Sequence, residues 1–515
     1  MSKSLLKSSY VVAVMTTLSR ITGLLREIIF ASIFGAGANM DAFLVAFRVP
    51  NLMRQLFAEG AFSQAFVPTL SEYREKHSIE EVKLFISRII GTLSLVLFIV
   101  TVIAVIAAPL FVTLFAAGFI HDPSRFSLAS AMLRITFPYL LLISLTACAG
   151  GILNNYHNFS IPAFTPVLLN LAMIASAIFL APYFAEPIKA AAWGVFIGGI
   201  IQVIFQIPFL KRLKLLAKPQ INWRDKGVRK VVKLMLPAII GVSMAQIGLF
   251  IDMLFASFLR EGSISWLNFS NRLVGFPLGV FGVAIATVIL PHLARQHAAK
   301  SNQEYSASLD WALRCILLIG IPSAIGILML SCPIIATFLE HGKFGALDVK
   351  MAGRSLVAFA IGLPSFMLVK VLAVGFYSKQ DIKTPVKIAV LAIIINIICN
   401  FILIFPLAHA GLALATSLTS SLNAGCLLFL LRKRSIYIPQ SNWLKYFGQL
   451  LFSSTAMAIT LWVTSAPLSQ WLIWNSAQKF LHLSLAISLA ATVFILCLFI
   501  SGARLKDFKP FYAKP

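Results

Sequence analysis

Guanidinium groups are scarce in sequence that faces lipid, yet this chain sets Arg20, Arg26 and Glu27 in "SRITGLLRE". It sets Arg48, Arg54 and Glu59 in "FRVPNLMRQLFAEGAFSQAFVPTL". Over that second stretch Arg48, Asn51, Gln55, Glu59 and Ser63 recur at helical spacing and form one stripe. Leu52, Met53, Leu56, Phe57, Phe62 and Phe66 fill the other faces. Arg54 lies beside the stripe, and Arg272 adds a guanidinium in a later apolar run with no acid near it in the same helix. An ionisable group at the bilayer centre costs about 2.5–3.5 kcal/mol on insertion scales. Several together predict a water-filled, cationic cavity. The planar fork of arginine makes paired, charge-assisted hydrogen bonds to phosphate. The implied ligand is an anion, best a phosphate or pyrophosphate. Placement at the membrane surface, or pairing with Glu27, Asp41 and Glu59, is the plainer account of some of these charges.

The elements that must hold such residues are apolar helices. The chain has 515 residues, of which 59% are hydrophobic and 12% charged, and its mean hydropathy is +0.89. Soluble domains are about a quarter charged. Runs such as "GTLSLVLFIVTVIAVIAAPLFVTLFAAGF" exceed the roughly 20 residues that a bilayer span needs. Their continuous apolarity excludes the alternation of a barrel, which leaves helices as the way to satisfy the backbone in lipid. The expectation is an all-α polytopic membrane protein with about 14 transmembrane helices, the second of them over residues 42–70. Gly23, between Arg20 and Arg26, permits a bend in the first.

The net charge of +25 fits loops on the positive side of a membrane. Nucleic acid is a poor partner, since no soluble basic domain exists to bind it. Lys211, Arg212, Lys214, Lys218, Arg224, Lys226, Arg229, Lys230 and Lys233 crowd one connection against Asp225 alone. That places the connection, and both termini, in the cytoplasm; attraction of anionic lipid is the competing reason for its charge. Cys148, Cys315, Cys332, Cys399, Cys426 and Cys497 lie in or beside apolar runs without paired spacing, so neither a disulfide framework nor a metal site is expected. The chain also repeats itself at roughly 225 residues, matching Pro138 with Pro364, Gly151 with Gly375 and Pro162 with Pro385. The repeat predicts two pseudo-symmetric six-helix lobes plus two C-terminal helices. The domains read as 1–213, a basic linker 214–226, 227–434, and 435–515.

"SRITGLLRE", "FGAGANMDAFLVAFRVPNLMRQLFAEGAFSQAFVP" and "GFYSKQDIKTPVKIA" resemble the MurJ (MviN) family, the lipid II flippases within the MATE-like multidrug/oligosaccharidyl-lipid/polysaccharide exporter superfamily. The resemblance covers nearly the whole chain. It implies lobes arranged in a V around a cationic cavity, and a lipid-tail groove on the last two helices. It implies lipid II, an undecaprenyl-pyrophosphate-linked peptidoglycan precursor, as substrate, with membrane lipids and other cell-wall synthesis proteins as partners, in the bacterial inner membrane. Arg20, Arg26, Arg54 and Arg272 take the family's substrate-binding places, with Asp41, Glu59, Glu27, Ser19 and Ser265 as gate residues and charge partners. Glu27 stands where Asp is common, Gln55 where a second arginine often follows, and Asn271 where an acid can precede Arg272.

A second cluster suggests a cation. Asp252, Asn396, Asn400 and Thr416 offer oxygen ligands suited to Na+, and the resemblance extends to such a site in some members. Hydrogen bonding between helices explains the same residues equally simply. No cofactor is required by either reading. No enzyme signature appears: "HGKFGALD" lacks the spacing of a phosphate loop. Flippases for other polyprenyl-pyrophosphate-linked oligosaccharides would recognise the same pyrophosphate and remain the nearest alternative. A MATE-like ion-coupled small-molecule exporter would favour acidic and aromatic cavity residues.

Overall fold

The computed structural model describes residues 3–55, 60 and 62–504, and every regular element among them is helical. α1 (Lys3–Phe34) runs unbroken through Gly23. α2 (Ala38–Met53) and α3 (Ser63–Lys76) form the charged second segment. Ser78 opens α4 (Ile79–Ile106) with a capping box, Glu81 reaching back to the Ser78 amide. Prolines then divide longer apolar runs. Pro109 lies in the first turn of α5 (Ala108–Phe115), Pro123 starts α6 (Pro123–Thr136), and Pro138 precedes α7 (Tyr139–Asn155). α8 (Ser160–Ala175), α9 (Lys189–Arg212) and α10 (Lys226–Ser257) follow. α11 (Ser263–Pro277) continues through a wide turn at Leu278–Gly282 into α12 (Val283–Ala298). α13 (Asn302–Met329) and α14 (Ser331–Phe338) precede the long α15 (Ala346–Tyr377). The chain closes with α16 (Lys383–Leu407), α17 (His409–Lys433), α18 (Trp443–Thr464), short α19 (Leu468–Ile473) and α20 (Ser476–Ile500).

Eleven helical segments among the described residues are long and apolar enough to cross a membrane. With α1, the α2–α3 segment and α10 they make about fourteen, and each expected span has a helix. The chain divides into two compact units, one of residues 1–265 with 341–343, the other of 266–340 with 344–515. In the first, α1 lies along α8, α2 along α6, and α9 against α7 and α8. Phe66, Phe85, Ile152 and Leu210 are among its buried core. In the second, α17 packs on α15 and α16, α13 on α15, and the pair α18–α20 attaches through α13 and α14.

The sequence repeat has a backbone counterpart. α7 and α15 both end with a left-handed residue, His157 (φ 62°) and Gln380 (φ 62°). In each case the next amide reaches back across the turn, Asn158 N to Leu153 O (2.9 Å) and Asp381 N to Phe376 O (3.1 Å). α9 and α17 do the same with Lys214 (φ 59°) and Ser435 (φ 54°). Their following amides, from Leu215 and Ile436, donate to Leu210 O and Leu431 O at 3.1 and 2.9 Å. These are the paired turn closures of a helix C-terminus, conserved in geometry although none of the four residues is glycine.

The connection into α18 hangs on one carboxylate. Asp310, buried on α13, accepts from the Tyr437 hydroxyl (2.6 Å), Trp443 Nε1 (2.7 Å), the Gln440 amide (3.2 Å) and Arg314 Nε (2.8 Å). Arg314 also stacks over the Trp443 ring at 4.9 Å. Removing a buried charge that so many donors share costs about 3–5 kcal/mol. Asp310→Ala should therefore lower the thermal stability of the detergent-purified protein sharply, with Asp310→Asn between it and the parent. Equal melting temperatures for all three would contradict this account of the joint.

Candidate functional site

In the first unit, α1 presents its charges to α8. Arg26 pairs with Glu27 through Nη2 and donates from Nη1 to Asn170 Oδ1 at 3.1 Å. Only 11% of the Arg26 side chain is exposed, and Glu27 is buried. Asn170 completes the node, donating to the Ser19 carbonyl and to Thr22 Oγ1, both at 3.2 Å. Ser19 thus enters through its backbone. Sequence reasoning missed Asn170, although a single amide inside "FTPVLLNLAMIASAIF" is itself a signal. Arg20 is half-buried on the same helix and makes no hydrogen bond or ion pair among the described residues.

At the C-terminal end of α2, Arg54 Nε donates to Asn51 Oδ1 at 2.9 Å, so one stripe residue orients the arginine beside it. Arg48 is half-buried and feels the carboxylate of Asp252 from α10. That acid therefore has a cationic neighbour inside the first unit, a pairing the sequence did not suggest. Glu59, the acid of the stripe, lies outside the described residues.

Asp41 is the most committed group. It is 1% exposed and accepts the Gly262 amide (2.7 Å), the Ser265 amide (2.8 Å) and the Ser265 hydroxyl (2.6 Å). The first turn of α2 is thereby tied to the first turn of α11. Nearby, the Lys343 amide donates to the Ser32 carbonyl at 2.9 Å. Gly342 (φ +58°) lets that loop close, since a Cβ there would stand 2.3 Å from the Ser32 oxygen. Gly118 likewise donates its amide to Ser257 Oγ at 3.0 Å. Asp122, which caps α6, is held at about 2, chiefly by the Ser124 hydroxyl with further help from Arg125. The end of the unit that carries "FGAGANMD" is thus closed by polar bonds.

The second unit carries Arg272, exposed on α11. On α16, Asn400 Nδ2 donates to Asn396 Oδ1 (3.1 Å), and Asn396 Nδ2 donates to Thr419 Oγ1 (3.4 Å). Thr416 bonds back to Leu412 O on its own helix at 3.0 Å. Thr419, on the same helix as Thr416, is thus a threonine that accepts from Asn396.

Residues 30–483 match the family described as "MurJ: Lipid II flippase MurJ". The chain belongs to the MurJ family. A "Probable lipid II flippase MurJ" of Haemophilus influenzae is 44% identical over 503 residues, covering 95% of this chain and 98% of that protein. A "Lipid II flippase MurJ" of Burkholderia cenocepacia is 43% identical over 459 residues, covering 88% and 89%. Among solved structures, "Lipid II flippase MurJ, inward closed conformation" superposes with TM-score 0.78 and 29% identity, covering 95% of this chain and 99% of that one. An inward-facing multidrug resistance MATE transporter matches at TM-score 0.65 and 13% identity over 84% of this chain and 98% of that one, which shows a shared fold. MurJ membership together with the apolar helices makes this a multi-pass membrane protein that transports and does not catalyse.

Proposed function

We propose that this protein flips lipid II from the cytoplasmic to the periplasmic leaflet of the bacterial inner membrane, by alternating access through a cationic cavity. The observation that carries the reading is its likeness, over nearly its whole length, to curated lipid II flippases. The arginines supply the chemistry. Arg20 has no partner among the described residues and is the guanidinium readiest for a pyrophosphate, with Arg54 and Arg272 as further donors and Arg26 held in reserve by Glu27. Bound diphosphate neutralises the like charges and lets the cavity close around the headgroup while the prenyl tail stays in lipid.

Asp41, Gly262 and Ser265 form the periplasmic gate and open to release the headgroup. Both termini face the cytoplasm. An inside-negative potential then draws the emptied cationic site inward, at about 2.3 kcal/mol per charge per 100 mV. Sodium stays outside the proposed cycle, because the Asn396 side chain is already engaged at both ends, Oδ1 by Asn400 Nδ2 and Nδ2 by Thr419 Oγ1.

The test is complementation. A host depleted of its own flippase should stop accumulating lipid II on the cytoplasmic leaflet when this chain is expressed, and Arg20→Ala, Arg54→Ala or Arg272→Ala should fail while inserting normally. Failure of the parent chain here, with rescue of a defect in another polyprenyl-pyrophosphate oligosaccharide, would assign it a different lipid-linked sugar.

A further inference from the structure

The basic connection between α9 and α10 has a built geometry. After Lys214 the chain leaves α9, runs along α4 and dips to a tip at residues 221–223 before returning to start α10. The Ser87 hydroxyl donates to the Lys218 carbonyl. The Gln220 amide donates to Ser87 O at 3.0 Å, and the Asn222 amide donates to Thr92 Oγ1 at 3.2 Å. Gly91 makes the close approach possible, since a Cβ there would meet the Gln220 oxygen at 2.3 Å. The tip turns on Asn222, whose Oδ1 accepts the Arg224 amide at 3.0 Å. On the return arm Asp225 pairs with Arg88 at 2.5 Å and caps α10 by accepting the Gly227 and Val228 amides.

Three features of this strap go beyond a solvated charge run. Its depth is fixed: Gly91 and Thr92 begin the long apolar run of α4, so the tip sits where headgroups give way to hydrocarbon. Its tip is apolar, with Ile221 58% and Trp223 50% exposed, and Trp is the side chain that favours that boundary. Its charge is one-signed: Asp225 is consumed internally, while Lys214, Lys218, Arg224 and Lys226 are exposed and make no ion pair among the described residues.

We infer that the 214–226 strap is a docking surface for anionic phospholipids of the cytoplasmic leaflet, with Ile221 and Trp223 at the hydrocarbon boundary and the basic arms on the phosphates. A zwitterionic lipid offers the same boundary without net charge, so the arms would discriminate against it. The inference rests on the proposed orientation, which can be tested apart from it.

The full-length protein in detergent should be titrated with phosphatidylglycerol and, separately, with phosphatidylcholine while its melting temperature is followed, because a ligand of the native state raises it. Phosphatidylglycerol alone should raise it in the parent. K218Q/R224Q/K226Q should weaken the apparent affinity on the order of tenfold or more, W223A should weaken it to a smaller extent, and about 1 M salt should remove the charge-dependent part. An unchanged titration in the triple variant, or an equal response to phosphatidylcholine, overturns the inference. No response to either lipid also overturns it, and would point to an acidic protein as the occupant. Orientation is read independently with Lys211→Cys in a chain whose native cysteines are Ala. Labelling by an impermeant maleimide only in opened cells upholds a cytoplasmic strap, whereas labelling of intact cells overturns the orientation whatever the lipid titration shows.

Discussion

Arg26→Ala will abolish rescue of flippase-depleted cells, and adding Glu27→Gln will restore the protein's heat stability without restoring growth. The single variant strips a buried carboxylate of its counter-charge and frees Asn170 Oδ1, a loss of about 3–5 kcal/mol. It therefore fails for two reasons at once, a weakened fold and a missing guanidinium. Neutralising Glu27 removes most of the first reason, because a buried neutral amide costs far less than a buried carboxylate without its counter-charge. Growth and thermal unfolding, measured on both variants, separate the two. Should the double variant support growth as well as the parent does, Arg26 would be a counter-ion alone and the pyrophosphate would have to be held by Arg20, Arg54 and Arg272.

Asp41→Ala is expected to be as damaging, through the opposite end of the proposed cycle. It orphans the Gly262 amide, the Ser265 amide and the Ser265 hydroxyl together, at about 1–3 kcal/mol for each buried group. Ser265→Ala removes one of those bonds and leaves both amides on the carboxylate. A thiol at Gly37, where a new side chain has open space, reports on exposure of this end. Asp41→Ala should speed its labelling on the order of a hundredfold, and Ser265→Ala only a few-fold. Rescue should be lost in the first and reduced in the second. Equal labelling in all three backgrounds would show that Asp41 does not hold this end shut.

Much of this was legible before any coordinates. Helices and their approximate limits follow from uninterrupted apolarity, although Pro109 and Pro138 lie at breaks inside runs that read as continuous. Asp41 lies in the family motif and Ser265 is an expected gate partner, and the structure brings them within hydrogen-bonding distance. Partner choice was harder to read. Asn170 is far from Arg26 in sequence, and only the packing of α1 on α8 brings the two together. The oxygen chemistry that groups Asp252 with Asn396, Asn400 and Thr416 does not say which charge it faces, and the structure sets Arg48 near it. That Thr419 accepts from Asn396 is a matter of which way each helix faces, which spacing alone does not settle. The twin left-handed turns were invisible for another reason: His157, Lys214, Gln380 and Ser435 share a backbone shape that their side chains do not advertise.

The fastening of the final helix pair has a mechanical meaning. One end is pinned by the carboxylate of Asp310, and the other by Lys479 of α20, buried against Glu340 just beyond α14. Polar rivets buried in protein do not slide, since shearing either would leave a buried charge unpaired. α18 and α20 must therefore ride as a fixed outrigger on the second unit, and any prenyl chain resting along them would be towed by that unit's motion.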